Sequence, residues 1–275
     1  MTLAEKRRAD VALVQQQLCE SRERAQAAIM EGRVFLGERR INKPSETVGA
    51  DETLTLKAAD NEYVSRGALK LDKAVRVFSA DLKDKVIMDI GSSTGGFTDV
   101  CLRQGAKHVY SIDVGYGQLD WKLRNDPRVT VMERTNARYL EPAMFDEKPS
   151  VTVMDVSFIS IRLILPAAAA IMGDEGVFYT LIKPQFEAGR ENVGKNGVVR
   201  DPAVHEDVIS GIVRFAEEME WQAVSLDYSP ITGPKGNIEF LCEICKKSGS
   251  RKGITPEDIH RTVTDAHEKI GRSQE

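Results

Sequence analysis

Asp89-Ile90-Gly91-Ser92-Ser93-Thr94-Gly95-Gly96-Phe97 is the stretch on which the reading of this 275-residue chain turns. It follows the apolar run Val86–Ile90 and leads into the amphipathic Phe97–Arg103, so strand, Gly-rich loop and helix stand in that order. Gly91, Gly95 and Gly96 permit a tight turn and a close approach of ligand to backbone. The spacing is not the G-x-G-x-x-G of dinucleotide sites, and Asp89 stands where a pyrophosphate would be repelled. An acidic, Gly-rich loop suits a cationic ligand without phosphates, and the sulfonium of S-adenosylmethionine fits that description. Asp113 ends the next apolar strand, 24 residues further on, where a carboxylate can accept both ribose hydroxyls. The plain alternative is an ordinary tight strand-to-helix turn; the second acid in the matching element weighs against it.

Outward from this loop, apolar strands alternate with helices. Val86–Ile90, His108–Val114, Val129–Glu133, Val151–Val156 and Gly176–Ile182 read as strands. Arg66–Phe78, Phe97–Arg103, Ile161–Met172 and Val204–Met219 read as helices. That alternation predicts an α/β domain with a mostly parallel sheet. Val224–Tyr228 and Ile238–Cys245 close the series through a Pro/Gly loop without a helix, so one of them runs antiparallel. The expectation is a seven-stranded, Rossmann-like sheet over residues 61–246, with the last strand antiparallel. Residues 247–275 add a basic linker and an amphipathic helix at about Pro256–Ile270.

Residues 1–60 have a different texture. Asp10–Cys19 and Ser21–Glu31 carry apolar residues at helical spacing, Ser21 is a natural N-cap, and Gly32 stops the second helix. Val34–Leu36 and Thr53–Leu56 read as short strands around the turn-rich Asn42–Ser45. A small α+β module results, and the polar run Ala58–Tyr63 separates it from the rest.

Composition sets the outer bounds. Hydrophobic residues make up 41% and charged residues 29%, which fits a soluble packed protein and excludes general disorder. The longest apolar run, Leu163–Met172, is about half of the roughly 20 residues that span a bilayer. The charged N-terminus has no signal-peptide core, and four cysteines make no disulfide scaffold, so a reducing, cytoplasmic setting is expected. The 38 Lys+Arg against 42 Asp+Glu give a net charge of −4, which at first argues against a nucleic-acid partner. Residues 1–43, however, hold nine Lys/Arg against six acids, a surplus of three that leaves the remainder at −7.

Four polar residues fall near the expected strand ends: Lys70 in a helix beside Leu71, Asp155 after VTVM, Lys183 after VFYTLI, and Glu239 inside NIEFLCEIC. Charges beside a parallel sheet are costly unless paired, so two lysines with two carboxylates predict one compensated cluster rather than four half-exposed termini. Other motifs fail on spacing. Gly189–Asn196 nearly spells a P-loop, but Asn196 replaces the Ser/Thr that would hold magnesium, and Gly197 and Pro202 deny it a long helix. That segment reads as a lid whose Arg190, Lys195 and Arg200 face an anionic substrate. Cys242 and Cys245 sit three apart in a strand, on opposite faces, with no second pair, so no metal site is expected. The four histidines fall outside every motif. Asn136, after the third strand, is placed to meet an adenine or simply to make a turn.

The ordered set RADVALVQQQL, SRERAQAAIMEGRVFLG, YVSRGALKL, DIGSSTGGFTD, MDVSFIS, LIKPQFE and GPKGNIEF resembles the haemolysin A (TlyA) family of rRNA 2′-O-methyltransferases along essentially the whole chain. That family joins an S4-type RNA-binding module to an FtsJ (RrmJ)-like methyltransferase domain. The resemblance implies S-adenosylmethionine as cofactor, held by Asp89, Gly91, Ser92, Ser93, Thr94, Gly95, Gly96, Phe97, Asp113, Asn136 and Asp155. It implies a Lys-Asp-Lys-Glu tetrad at Lys70, Asp155, Lys183 and Glu239, with Lys183 as base or polariser of a ribose hydroxyl. It also implies a ribosomal RNA partner, docked through Arg7, Arg8, Ser21, Arg22, Arg24, Arg33, Lys43 and Arg66. Ala9 stands where a Leu is more usual in the S4 module, a departure that touches packing alone. A membrane-active haemolysin and a small-molecule O-methyltransferase are the competing readings; an S4-bearing pseudouridine synthase is excluded by the cofactor loop.

Overall fold

The computed structural model describes residues 6–30, 32–57, 63–233, 235–247 and 251–271. Two compact units divide the chain, Met1–Glu62 and Tyr63–Glu275. Of the expected polar boundary Ala58–Tyr63, residues 58–62 lie outside the described residues, and Tyr63 opens the second unit.

In the first unit β1 (Lys6–Arg8) leads into α1 (Ala9–Gln15), and α2 (Arg22–Met30) follows. Strands β2 (Val34–Leu36), β3 (Arg39–Arg40), β4 (Thr47–Gly49) and β5 (Leu54–Leu56) complete it. β3, β2 and β5 form one antiparallel sheet, and β1 pairs with β4. Leu13, Ala25, Ile29, Val34, Ile41, Val48 and Leu54 make the core. Ala9 is part of it, fully buried, so the small residue has a packed place. α1 stops earlier than its apolar pattern suggests, because the chain turns through a left-handed Gln17 (φ 56°). Ser21 caps α2 as expected, its hydroxyl accepting from the Arg24 amide at 3.3 Å. Strands as short as β1, β3 and β4 carry too few residues for a period-2 signal, and composition does not reveal them.

The second unit contains α3 (Ala68–Phe78), β6 (Val86–Ile90), α4 (Gly96–Arg103), β7 (His108–Ile112), α5 (Trp121–Arg124), β8 (Val129–Met132) and β9 (Val151–Met154). There follow α6 (Leu165–Met172), β10 (Val177–Ile182), α7 (Pro184–Glu187), α8 (Pro202–Glu218), β11 (Trp221–Tyr228), β12 (Phe240–Lys246) and α9 (Pro256–Gly271). The sheet order is β11-β12-β10-β9-β6-β7-β8, with β12 antiparallel to both neighbours and the remaining pairs parallel. Strands buried on both faces read as unbroken apolar runs, which is why VIMDI and VFYTLI are so legible. One face is covered by α3 and α4 through Leu71, Phe97 and Val100, the other by α6, α8 and α9 through Leu165, Ile209 and Val263. α9 therefore packs within this unit rather than trailing from it. The expected helix Ile161–Met172 is split: Ile161–Leu163 is a 3-10 turn, and α6 restarts with Pro166 in its first turn.

Strand order reverses at β6, which has β7 on one side and β9 on the other. That switch point opens a crevice at the carboxyl ends of β6 and β9, where ligands of such sheets bind.

Candidate active site

A cavity of about 510 Å³ occupies this crevice. Its floor is the loop after β6. Gly91 adopts φ +84°, and a Cβ there would stand 2.7 Å from the Asp155 carbonyl oxygen, so only glycine lets the loop and the end of β9 meet. At Gly96 a Cβ would lie 2.9 Å from the Ala68 amide, so this glycine brings α4 against the start of α3. The loop is tied down from behind: Gly91 and Ser92 amides donate to Ile112 O, and the Ser93 amide donates to Asp113 Oδ2 at 2.8 Å. Ser93 and Phe158, both on the cavity wall, hold left-handed backbones (φ 47° and 64°). Such conformations cost about 1 kcal/mol or more each and persist where surrounding structure enforces them.

The four charges expected to cluster do so. Lys70 Nζ lies 2.7 Å from Glu239 Oε2 and 3.0 Å from Asp155 Oδ2. Lys183 Nζ lies 2.5 Å from Asp155 Oδ1 and donates to Ser157 Oγ at 2.9 Å. The result is an alternating chain, Glu239–Lys70–Asp155–Lys183, electrically neutral as a whole. Glu239 is its most deeply buried member at 1% exposed, steadied by Gln185 Nε2 at 3.3 Å. Burial opposes ionisation of Asp155, but the ammonium groups of Lys183 and Lys70 outweigh it and hold the carboxyl below its usual range. Burial likewise disfavours the Lys70 ammonium, and Asp155 and Glu239 overcome it and push the group up. α3 is locked in register three residues after Lys70: Lys73 Nζ reaches Asp227 at 2.8 Å and Tyr228 O at 2.7 Å, over the Tyr228 ring.

Of the expected cofactor residues, Gly91, Ser92, Ser93, Thr94, Gly96, Phe97 and Asp155 line the cavity. Asp89 corrects the expectation that it faces the ligand. It is 0% exposed, accepts from Thr98 Oγ1 at 2.6 Å, and burial pushes its carboxyl up to about 7. It stands beneath the loop rather than on the wall. Gly95 packs on Leu123 and Leu119, again behind the wall. Asp113 spends one oxygen on the Ser93 amide and the other on the Gly115 amide, and Asn136 caps the turn Ala137–Tyr139.

Sequence reasoning missed other wall residues: Ser157, Phe158, Gln185, Phe186, Lys235 and Asn237. Phe158 is 91% exposed and its ring centroid lies 5.2 Å from that of Phe186. Its place next to MDVS was the available signal, and an aromatic in a loop reads by default as packing. The P-loop-like segment holds only a 3-10 turn at Arg190–Asn192; its Val193, and Gly197 just beyond it, reach the cavity. Cys242 is fully buried and Cys245 nearly so; burial raises both thiols, and no metal-binding group of side chains occurs among the described residues.

In the first unit, Arg8 and Arg22 both pair with the fully buried Asp10, at 2.9 and 3.1 Å, and Gln26 completes that site. Arg7 donates to Gln15, and Arg24 lies 3.7 Å from Glu20. Lys43 is exposed; Ser21 is occupied as a cap. Arg66, in the second unit, is exposed beside the wall residues Ser65 and Gly67.

The FtsJ-like methyltransferases match residues 63–246, and the S4 domain matches residues 7–54. The chain belongs to the TlyA/haemolysin A family of methyltransferases, in which the two are joined. It is 49% identical over 270 residues to the protein YqxC of Bacillus subtilis (strain 168), covering 97% of this chain and 96% of that one. It is 40% identical over 268 residues to the 16S/23S rRNA (cytidine-2′-O)-methyltransferase TlyA of Mycobacterium tuberculosis, covering 96% and 99%. A solved chain from Streptococcus thermophilus shares 46% identity over 99% of both chains, with a TM-score of 0.75.

Proposed function

We propose that this chain is a cytoplasmic enzyme that methylates the 2′-hydroxyl of cytidine in 16S and/or 23S ribosomal RNA, with S-adenosylmethionine as donor. The observation that carries the reading is the neutral chain Glu239–Lys70–Asp155–Lys183, every member of which lines the cavity. A volume of about 510 Å³ suits a small-molecule ligand, whose sites run to roughly 300–1,000 Å³. The glycine wall fits a group bound close along the backbone. Phe97 offers apolar contact, and Asp113 and Asn136 are assigned to the adenosine side.

When bound, S-adenosylmethionine supplies an electrophilic methyl on a sulfonium. This chain's residues do the rest. Lys183 Nζ, once its own proton has passed to solvent, takes the proton of the ribose 2′-hydroxyl as that oxygen acquires the methyl group; Asp155 orients the nitrogen from 2.5 Å. Lys70, between two carboxylates, fixes Asp155, and Glu239 balances the charge. Holding oxygen, carbon and sulfur in line is the largest contribution such a site makes. The S4 module supplies salt-dependent docking to phosphates through Arg7, Arg8, Ser21, Arg22, Arg24, Arg33 and Lys43, and Arg66 is a further RNA contact beside the cavity wall of the second unit.

Lys183→Ala is expected to lower kcat by about 10²- to 10⁴-fold, with S-adenosylmethionine affinity by calorimetry unchanged. Lys183→Arg is expected to rescue nothing, because a guanidinium stays protonated. Activity retained in either variant sinks the assignment.

A second reading comes from a relative named Hemolysin A in Brachyspira hyodysenteriae, 43% identical over 224 residues, 81% of this chain and 92% of that one. Among the described residues no helix is long and apolar enough to cross a membrane. A liposome-leakage assay decides it: dye release at micromolar protein favours the membrane reading, and intact vesicles favour the enzyme. The third reading, a small-molecule O-methyltransferase, leaves the S4 module without a use.

A further inference from the structure

His205 and His267 belong to no motif, yet they stand on a connection into the cavity. His205, in α8, is fully buried against the Phe240 ring, centroids 5.4 Å apart. Its Nε2 lies 3.2 Å from the Val199 carbonyl oxygen, and its Nδ1 lies 3.0 Å from Nε2 of His267 on α9. A carbonyl only accepts, so His205 Nε2 carries the hydrogen and donates to Val199. Nδ1 is left with a lone pair, and His267 Nε2–H donates to that. Burial holds both imidazoles below their ordinary range, so each ring is neutral at pH 7, with its hydrogen on Nε2. Burial, and then the neighbouring His267, hold His205 down at about 4, against the opposing pull of Asp201 at the α8 N-cap.

The connection continues past Val199. Its amide donates to Asn237 Oδ1 at 3.0 Å, and Asn237 Nδ2 donates to Gly197 O at 2.9 Å. Gly194 N–H closes on Val198 O at 3.1 Å, so residues 193–199 form a tied strap. Val193, Gly197 and Asn237 all line the cavity, and Asn237 precedes Glu239 by two residues. The strap's anchor is thus a side chain next to the buried end of the charge chain. α9 is seated for this role by Ile259, Val263 and Ala266, buried on the α8 side of the sheet.

We propose that the C-terminal helix is a positioning element for methyl transfer: His267 and His205 hold the 193–199 strap, and with it Asn237, against the cavity beside Glu239. Both histidines are positioning residues that touch neither substrate nor cofactor. The assignment rests on reading the cavity as the methyl-transfer site, and amide exchange in the strap tests the relay without reference to that reaction.

The test uses the full chain with His267→Ala and His267→Gln, each at a temperature where circular dichroism shows it folded. His267 is half-buried, and glutamine retains a donor at the end of its side chain. His267→Ala is expected to speed hydrogen exchange in residues 193–199 and to lower kcat, each by about 5- to 10-fold, with the KM for S-adenosylmethionine unchanged; one lost hydrogen bond is of that size. His267→Gln is expected to restore both. Wild-type strap exchange and wild-type kcat in the alanine variant overturn the proposal. So does a glutamine variant as defective as alanine, which would leave ring packing as the only contribution. If wild-type protein transfers no methyl to RNA, the reading of the cavity fails while strap exchange still decides the relay.

Discussion

Lys183 and Asp155 illustrate how little each residue does alone. A lysine at the end of a strand is ordinary; one held 2.5 Å from a carboxylate that a second lysine also grips is fixed in place. The same logic gives the loop its sensitivity. Gly91→Ala would drive a Cβ into the Asp155 carbonyl at φ +84°, displacing both the cofactor loop and the residue that orients Lys183. Calorimetry should show S-adenosylmethionine affinity down by tenfold or more, the loss expected when about 1.4 kcal/mol of binding energy is removed; unchanged affinity would remove the loop from the site. At this scale the sequence is informative where chemistry is costly. Lys70, Asp155, Lys183 and Glu239 stand out because a charge beside a parallel sheet needs a partner. Asp89 misleads for a related reason: an acid in a Gly-rich loop looks like a ligand, and whether its carboxylate turns outward or under the loop to Thr98 depends on a residue nine positions later in the chain.

Elements carry their own predictions. α1 and α2 are joined through Asp10, fully buried and gripped by Arg8, Gln26 and Arg22. The hydrogen bond from Arg8 is the main cause holding the Asp10 carboxyl well below the usual range, against the opposing effect of burial. A depressed carboxyl stabilises the fold above its unfolded pKa of about 3.9, and that contribution is lost as pH falls towards the folded value. Backbone exchange in α1 and α2 should therefore rise below pH 4 before the large sheet loosens. Asp10→Asn should remove most of that pH dependence and cost about 1–3 kcal/mol at neutral pH, as for a buried group left partly unsatisfied. Periodicity reveals α1 and α2 in the sequence, and Ser21 reveals a cap; nothing there shows that Arg8 and Arg22 already have a partner, because pairing across two helices leaves no spacing pattern. The four-residue helices α5 and α7 are invisible for want of length, and Ile161–Met172 reads as one helix because an alanine-rich run hides the break before Pro166.

The whole molecule is acidic overall and mildly basic at one end. Removing residues 1–62 should weaken binding to ribosomal subunits and flatten its salt dependence, by roughly 0.7–0.9 in log–log slope for each phosphate no longer neutralised. S-adenosylmethionine binding by the remaining unit should be unaffected; a truncated chain that methylates subunits normally would end the docking role. Strand direction and two-sided burial are readable in advance from unbroken apolar runs and the missing helix before β12; strand order is not, since it depends on which strands the crossovers bring side by side. The histidine relay is not, because His205, Val199, Asn237 and His267 meet only after α8, the strap and α9 have folded together. The central claim is methyl transfer to a ribose by the Lys183 end of the charge chain. Purified 30S and 50S subunits should be incubated with methyl-labelled S-adenosylmethionine and either wild type or Lys183→Ala, and the product nucleosides identified by mass spectrometry. Label is expected in 2′-O-methylcytidine with the wild type, and at a rate lower by about 100-fold or more with the variant. Label on a base, label in neither subunit, or equal transfer by Lys183→Ala would contradict the claim.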